Sequence, residues 1–275
     1  MLMKSLSVVS LSRQSGFTLV ELVMTMVIAA VLGTMSVQFI RSTSEGFIDS
    51  NGREQLAAAG YVVNEQISRA LRDALPGSIR ATADGLCVEY MPVVAASMYT
   101  DLSVNSAVTS FRAAPYSVSD GASGYVSVYP IGSANLYAQN DPGPLTPDIG
   151  SVPAGTTEVD VTLASSHTFP SDSPERRYYL SSAPETVCQD GAYLYRYRNY
   201  GFVSDVANLR AALPSDRASG RTVLAFPLQA GSMTFRYQNP TLARSGLVAF
   251  EYVLQHPTTG ETLSIGQQVR VVNVP

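Results

Sequence analysis

From Leu22 to Ile40 the chain runs for nineteen residues without a charge, and Arg41 ends the run. At about 1.5 Å per residue a helix of that length covers roughly 28 Å, close to the hydrocarbon thickness of a bilayer. A cleaved secretory signal has a shorter apolar stretch, roughly 7–15 residues, and then a small-residue cleavage site. Lys4 and Arg13 precede the run, with no acid among residues 1–16. A buried core helix has no need of such a basic leader. By the positive-inside tendency the two cations put the N-terminus in the cytoplasm and everything after Arg41 outside it.

Past the span, Leu56, Gly60, Val63, Ile67, Ala70 and Ala74 recur at alternating steps of four and three, which is one helical stripe. Arg53, Glu54, Glu65, Arg69, Arg72 and Asp73 mostly occupy the other faces, as on a helix with one side docked and one solvated. No proline interrupts the chain between Phe17 and Leu75, and Pro76-Gly77 is a stop signal. The pattern predicts one helix over residues 17–75, with Gly33, Gly46 and Gly52 as its weak points.

Beyond Pro76 the texture changes to short alternating segments separated by Gly, Pro, Asn and Asp, the pattern of antiparallel strands and turns. Ile79–Thr82 and Leu86–Met91 flank Ala83-Asp84-Gly85 as a candidate hairpin. Tyr125–Tyr129, Glu158–Leu163, Arg177–Leu180, Tyr193–Arg198, Met233–Tyr237, Leu247–Leu254 and Leu263–Val274 also read as strands, the last two joined by a hairpin-sized loop over 255–261. The Pro- and Gly-rich stretch 132–155 reads as an exposed excursion, and 202–213 as a short helix. The class is α+β.

Composition narrows the chemistry. Lys plus Arg number 18 against 22 Asp plus Glu, a net charge of −4, which disfavours a polyanion binder acting through bulk charge. Two Cys and two His leave no material for a Cys/His zinc cluster or a haem or iron–sulfur site built from them. No GxSxG, Walker-type loop or GxGxxG is present, so neither an enzyme nor a cofactor is expected. His167 and His256 sit in polar, Pro-flanked stretches and read as surface-loop residues. Asp141 and Asp148 could supply oxygen ligands to calcium, but their spacing fits no EF-hand and solvated loop acids are the default. Tyr193, Tyr195 and Tyr197 share one face of a strand, with Leu194, Arg196 and Arg198 on the other. Stacking on single-stranded nucleic acid would want aromatic and basic side chains together, so packing is the expected role and no nucleic acid is expected. Cys87 and Cys188 both follow the span and form a candidate disulfide, worth up to roughly 4–5 kcal/mol on the chain-entropy model, with two free thiols as the alternative.

One residue resists a plain anchor. Glu21 opens the apolar run, and a carboxylate inside a span costs on the order of 2–3 kcal/mol even on the lenient insertion scale. It lies about one turn from Phe17, and an α-ammonium created by cleavage before Phe17 would be its natural partner. Ser15-Gly16-Phe17-Thr18-Leu19-Val20-Glu21-Leu22, behind a short basic leader and ahead of an apolar helix, resembles the prepilin motif of type IV pilins and type II secretion pseudopilins.

The resemblance implies that a prepilin peptidase cuts between Gly16 and Phe17 and N-methylates Phe17. It implies too that Glu21 pairs with the Phe17 amine of an adjacent subunit during assembly. Leader removal would leave side-chain charges of 16 minus 22, or −6. The implied organisation is a leader over 1–16, a transmembrane and assembly half-helix over 17–41, an amphipathic half over 42–76, and a β-rich periplasmic or extracellular head over 77–275. The implied location is the inner membrane, single-pass, then a pilus or pseudopilus. The implied partners are the peptidase, other major and minor pilins, the inner-membrane assembly platform and membrane lipid. Many pilins carry a proline some twenty-odd residues after the cleavage site; this chain has none there, so melting of the helix near Gly33 is not implied. Gly260-Glu261-Thr262-Leu263 and the ending from Gln268 to Pro275 resemble minor pilins of MSHA-pilus biogenesis, while Tyr178-Tyr179-Leu180 and Leu194-Tyr195-Arg196 resemble J-type minor pseudopilins. An adhesin or DNA-binding pilin and a membrane-tethered envelope enzyme are the alternatives from other classes.

Overall fold

The computed structural model describes residues 16–240 and 244–271. The leader residues 1–15, with Lys4, Arg13 and Ser15, and the end of the last expected strand, 272–274, lie outside the described residues. Helix α1 spans Leu19–Arg72, and the chain divides into two units at Gly52.

In the first unit the apolar side chains of α1, from Leu19 and Leu22 to Phe39 and Ile40, are exposed. Within the apolar run the hydroxyls of Thr25, Thr34 and Ser36 donate back to carbonyls three or four residues earlier, at 2.8 to 2.9 Å. Each thereby satisfies its own donor inside the helix, which is what a segment in hydrocarbon requires. Among the described residues α1 is the one helix long and apolar enough to cross a membrane.

The second unit holds residues 53–72 of α1 and fourteen strands: β1 (Arg80–Ala81), β2 (Cys87–Tyr90), β3 (Val93–Asp101), β4 (Ala107–Ala113), β5 (Ala122–Val128), β6 (Leu145–Val152), β7 (Val159–Thr168), β8 (Arg177–Ser181), β9 (Glu185–Asp190), β10 (Tyr193–Tyr197), β11 (Arg221–Ala225), β12 (Thr234–Gln238), β13 (Gly246–Gln255) and β14 (Thr262–Val271). They form a five-stranded sheet in the order β1-β2-β9-β10-β11, a three-stranded sheet β12-β13-β14 and a closed barrel β3-β4-β7-β6-β5-β8, with every pairing antiparallel. The Phe235 amide donates to the Gly85 carbonyl at 2.7 Å and ties β12 to the β1–β2 turn.

The predicted stripe of α1 docks. Leu56, Val63, Ile67 and Leu71 are buried in one core with Val88, Tyr90, Val187 and Leu194 of the larger sheet and Phe235, Phe250, Tyr252 and Leu254 of the smaller. Ala70, placed in the stripe from its spacing, is only half-buried, and Leu71 takes the central position instead. Tyr252 Oη donates to the Gly60 carbonyl at 3.0 Å and lies equally close to Asn64 Oδ1, fixing the helix to β13. A Cβ built on Gly60 would meet Ile265 Cδ1, so the missing side chain leaves room for β14 against α1. Valine there must turn aside the tip of the half-buried Ile265 side chain, a mild overpacking at the low end of the roughly 1–3 kcal/mol such changes cost. Gly60→Val is expected to lower the urea midpoint accordingly, while Gly60→Ser, which adds a smaller group, loses less.

Two expectations are corrected. The stretch 132–155 is no exposed excursion: it carries a short helix, Ser133–Ala138, and β6, with Leu136, Tyr137, Leu145 and Val152 buried. Pro147 fits inside β6 because three residues, 146–148, oppose Val126 alone in a bulge. There the Thr146 hydroxyl accepts from the Val126 amide at 2.9 Å and donates to the Asp148 carbonyl at 2.8 Å, doing the ladder's work. His167 is no surface residue either: it is fully buried on β7, edge-on to Phe169 at 4.8 Å, with Nε2 2.8 Å from the Gly143 carbonyl. The Pro- and Ser-rich neighbours that suggested a loop flank a strand that the barrel encloses.

Candidate processing and assembly site

Gly16, Phe17 and Thr18 precede the first turn of α1, and Thr18 caps it. The Thr18 carbonyl accepts from the Leu22 amide at 3.1 Å, and its hydroxyl accepts from the Glu21 amide at 3.3 Å. Thr18-Leu19-Val20-Glu21 therefore has the S/T-x-x-E spacing of a capping box, and Glu21 stands in the first turn, where the helix dipole favours an anion. Its carboxylate makes no ion pair among the described residues. Phe17 is 75% exposed, and Leu19, Val20, Leu22 and Val23 around Glu21 are exposed too. An uncompensated carboxylate within an apolar surface, one turn from the Gly16–Phe17 bond, is a surface in want of one cation.

The other candidate residues lie in the second unit. Cys87 and Cys188 are directly opposite in the β2–β9 register and joined by a disulfide, with Cα atoms 4.2 Å apart, the short kind of antiparallel pair. Tyr195, Tyr197, Tyr200 and Leu213 pack against the bridge. Tyr193 stacks on Tyr195 and on Phe226, and the Arg221 guanidinium lies 4.6 Å from the Tyr195 ring centre, while Leu194 faces the helix-side core. The tyrosine row is thus occupied in packing among its own neighbours.

Asp141 Oδ1 accepts from the Thr168 amide at 2.9 Å and stands 3.5 Å from His167 Nδ1; Asp148 Oδ2 accepts from Ser165 Oγ at 2.7 Å. His256 Nδ1 accepts from the Thr259 amide at 3.2 Å within the β13–β14 turn. Among the described residues no three His, Cys, Asp or Glu side chains are grouped to hold a metal ion.

A buried polar network escapes sequence reasoning. Arg80 and Glu89 face each other across β1–β2, Nε to Oε2 2.5 Å, both almost fully buried. The guanidinium also donates to the carbonyls of Ser204 and Val203 and lies 3.6 Å from the Tyr137 ring centre. Tyr200 Oη donates to Glu89 Oε1 at 3.0 Å. Burial pushes the Glu89 carboxyl up and Arg80 opposes this; burial and the Glu89 charge hold the Tyr200 phenol far above its ordinary value, so it remains a donor. The one signal in the sequence is an Arg and a Glu on opposite arms of the predicted hairpin, whose three-residue turn would have placed them one residue out of register.

The family described as the prokaryotic N-terminal methylation motif matches residues 11–37. No curated protein and no solved structure gives a significant match. The motif supports a type IV pilin-like or pseudopilin protein, and the apolar helix behind it is consistent with a single-pass membrane anchor. More particularly, the motif implies processing by a prepilin peptidase and assembly with other pilins.

Proposed function

We propose that this chain is a minor type IV pilin-like subunit that acts in assembly or priming of a pilus of the MSHA type. The leader is removed between Gly16 and Phe17 and Phe17 is N-methylated. The apolar part of α1 first holds the subunit in the inner membrane and then bundles with its counterparts in the filament. Glu21 sets axial register by pairing with the Phe17 amine of a neighbour. The observation that carries this reading is the exposed carboxylate at Glu21, unpaired among the described residues, one turn from Phe17 on an exposed apolar helix. The large β-rich head, with a barrel in addition to its sheets, suits a tip or priming position better than repetition along a tightly wound filament.

Intact-mass and N-terminal peptide spectrometry of the protein from cell envelopes tests the processing. The expected chain begins at N-methylated Phe17. Lys4 is the only lysine in the sequence, so the processed chain has one amine, at its N-terminus. Reductive methylation should then add a single methyl group to it, two if Phe17 is cleaved but unmethylated, and more if Lys4 is still present. Gly16→Val is expected to leave the leader attached in cells with an active prepilin peptidase. Wild-type chain beginning at Met1 in such cells would make the protein a plain membrane anchor and end this reading.

A further inference from the structure

The barrel is one uninterrupted piece of sequence. All six of its strands lie between Val93 and Ser181, and every residue of its core, from Ala95 and Tyr99 through Phe111, Val126 and Val161 to Tyr178 and Leu180, comes from the same segment. Phe111 is at its centre, edge-on to Tyr99, Phe169 and Tyr178. Closure leaves this segment with no unpaired sheet edge of its own.

Its entry and exit are adjacent. Val93 pairs with Ser181, the Ser182 amide donates to the Pro92 carbonyl at 2.9 Å, and immediately beyond them Tyr90 pairs with Glu185 in the β2–β9 ladder. Three pairs further along, that ladder is closed covalently by Cys87–Cys188. The two strands that lead into and out of the barrel are therefore held in register by contacts that need nothing from the barrel. The helix core likewise takes no residue from 93–181. What joins the barrel to the rest is the Val93 amide, which donates to the Asp73 carbonyl at 2.9 Å, and a separate small cluster, in which Leu136, Tyr137, Leu145 and Tyr179 meet Leu75 and Met91, with Tyr125 against Phe202 and Arg80 over Tyr137.

We propose that residues 93–181 are a guest module that folds as its own cooperative unit within a hairpin of the host sheet. Residues 73–92, 182–240 and 244–271 carry the platform on which α1 docks, so the barrel's task lies outside assembly. The disulfide is the staple across the neck, and fixes the host register whatever the guest does. The folding half of this inference stands on the topology alone; the assembly half rests on the pilin-like reading.

Hydrogen exchange on the full-length protein tests the first half. Phe111→Ala removes the centre of the barrel core, and amides of β4, β5 and β7 are expected to exchange on the order of a hundredfold faster. Amides of β13 and β14 should stay within about twofold of the parent, since local units open independently. Equal loss of protection in both sets would overturn the proposal.

A second variant replaces residues 91–184 by Asn-Gly, a two-residue hairpin turn between Tyr90 and Glu185, the last pair of the β2–β9 ladder. It is expected to form the Cys87–Cys188 disulfide and to enter the assembly at a level within about twofold of the full chain. A barrel-less chain that fails to oxidise and fold, or that folds and is excluded, counts against the guest reading. Failure of the full-length chain itself to be incorporated would overturn the pilin-like function and leave the exchange result standing.

Discussion

Replacing Glu21 by valine leaves leader cleavage and membrane insertion unchanged and lowers incorporation into the assembly by about a hundredfold to a few thousandfold, because one buried charge left without its partner costs about 3–5 kcal/mol. The substitution makes α1 a better span, since it removes the single carboxylate from an otherwise apolar segment. Any loss must therefore come from the assembled state, where the Phe17 ammonium of the neighbour has no counter-charge. Glu21→Gln keeps shape and hydrogen bonding without the charge, and should fall between. Thr18→Ala separates the cap from the charge. It removes the acceptor for the Glu21 amide, and caps of this kind are worth about 1 kcal/mol. Immunoblots of sheared filaments against membrane fractions read all three. Normal incorporation of the valine variant would eliminate the register role of Glu21.

The second large effect is expected at Arg80. Arg80→Met strands Glu89 in a fully buried position, and breaking a buried pair by removing one partner costs about 3–5 kcal/mol. Tyr137 loses the cation over its ring and the carbonyls of Val203 and Ser204 lose their donors, so the 199–205 segment loosens with it. Removing both charges in Arg80→Met/Glu89→Leu should recover part of the loss, because no lone charge remains.

The pH dependence of the single variant has a definite sign. Burial already raises the Glu89 carboxyl in the folded chain, and without Arg80 nothing charged opposes that rise. A carboxyl whose folded value exceeds its unfolded value binds protons more tightly when folded. Stability then falls as pH rises from the ordinary carboxylate range, about 4.3 for Glu, through the raised folded value, by up to ~1.4 kcal/mol per pH unit. Urea melts of Arg80→Met should accordingly be closer to wild type at acid pH than at neutral pH. A loss independent of pH would mean that Glu89 is not the group left uncompensated.

Much of this architecture was legible in the chain because its signals are local. The helix is bounded by Thr18 on one side and Pro76-Gly77 on the other, both readable within a turn, and α1 ends within a few residues of the expected limits. The candidate site is legible for the same reason: Gly16, Phe17 and Glu21 belong to one short segment. What escaped is non-local. β3 is rich in Ala and Ser, which carry little strand propensity, and β6 contains a proline that only the bulge opposite Val126 accommodates. Barrel closure depends on the β3–β8 and β4–β7 registers, which pair segments tens of residues apart and leave no mark on either strand. His167 was misread because its burial is decided by Gly143 and Phe169, and not by the Ser and Pro beside it in sequence.

The bridge between β2 and β9 also constrains the order of events as the chain is made. Cys87 emerges 101 residues before Cys188, and the whole of the barrel lies between them. With two cysteines in the sequence there is one intramolecular product and no scrambled isomer for a thiol exchange enzyme to correct. The hazard is of another kind: until the later thiol arrives, Cys87 has no partner on its own chain and can be captured by the same residue of a second nascent copy. Once the barrel has closed, its exit strand lies beside its entry, and the two cysteines are a few residues from meeting in register.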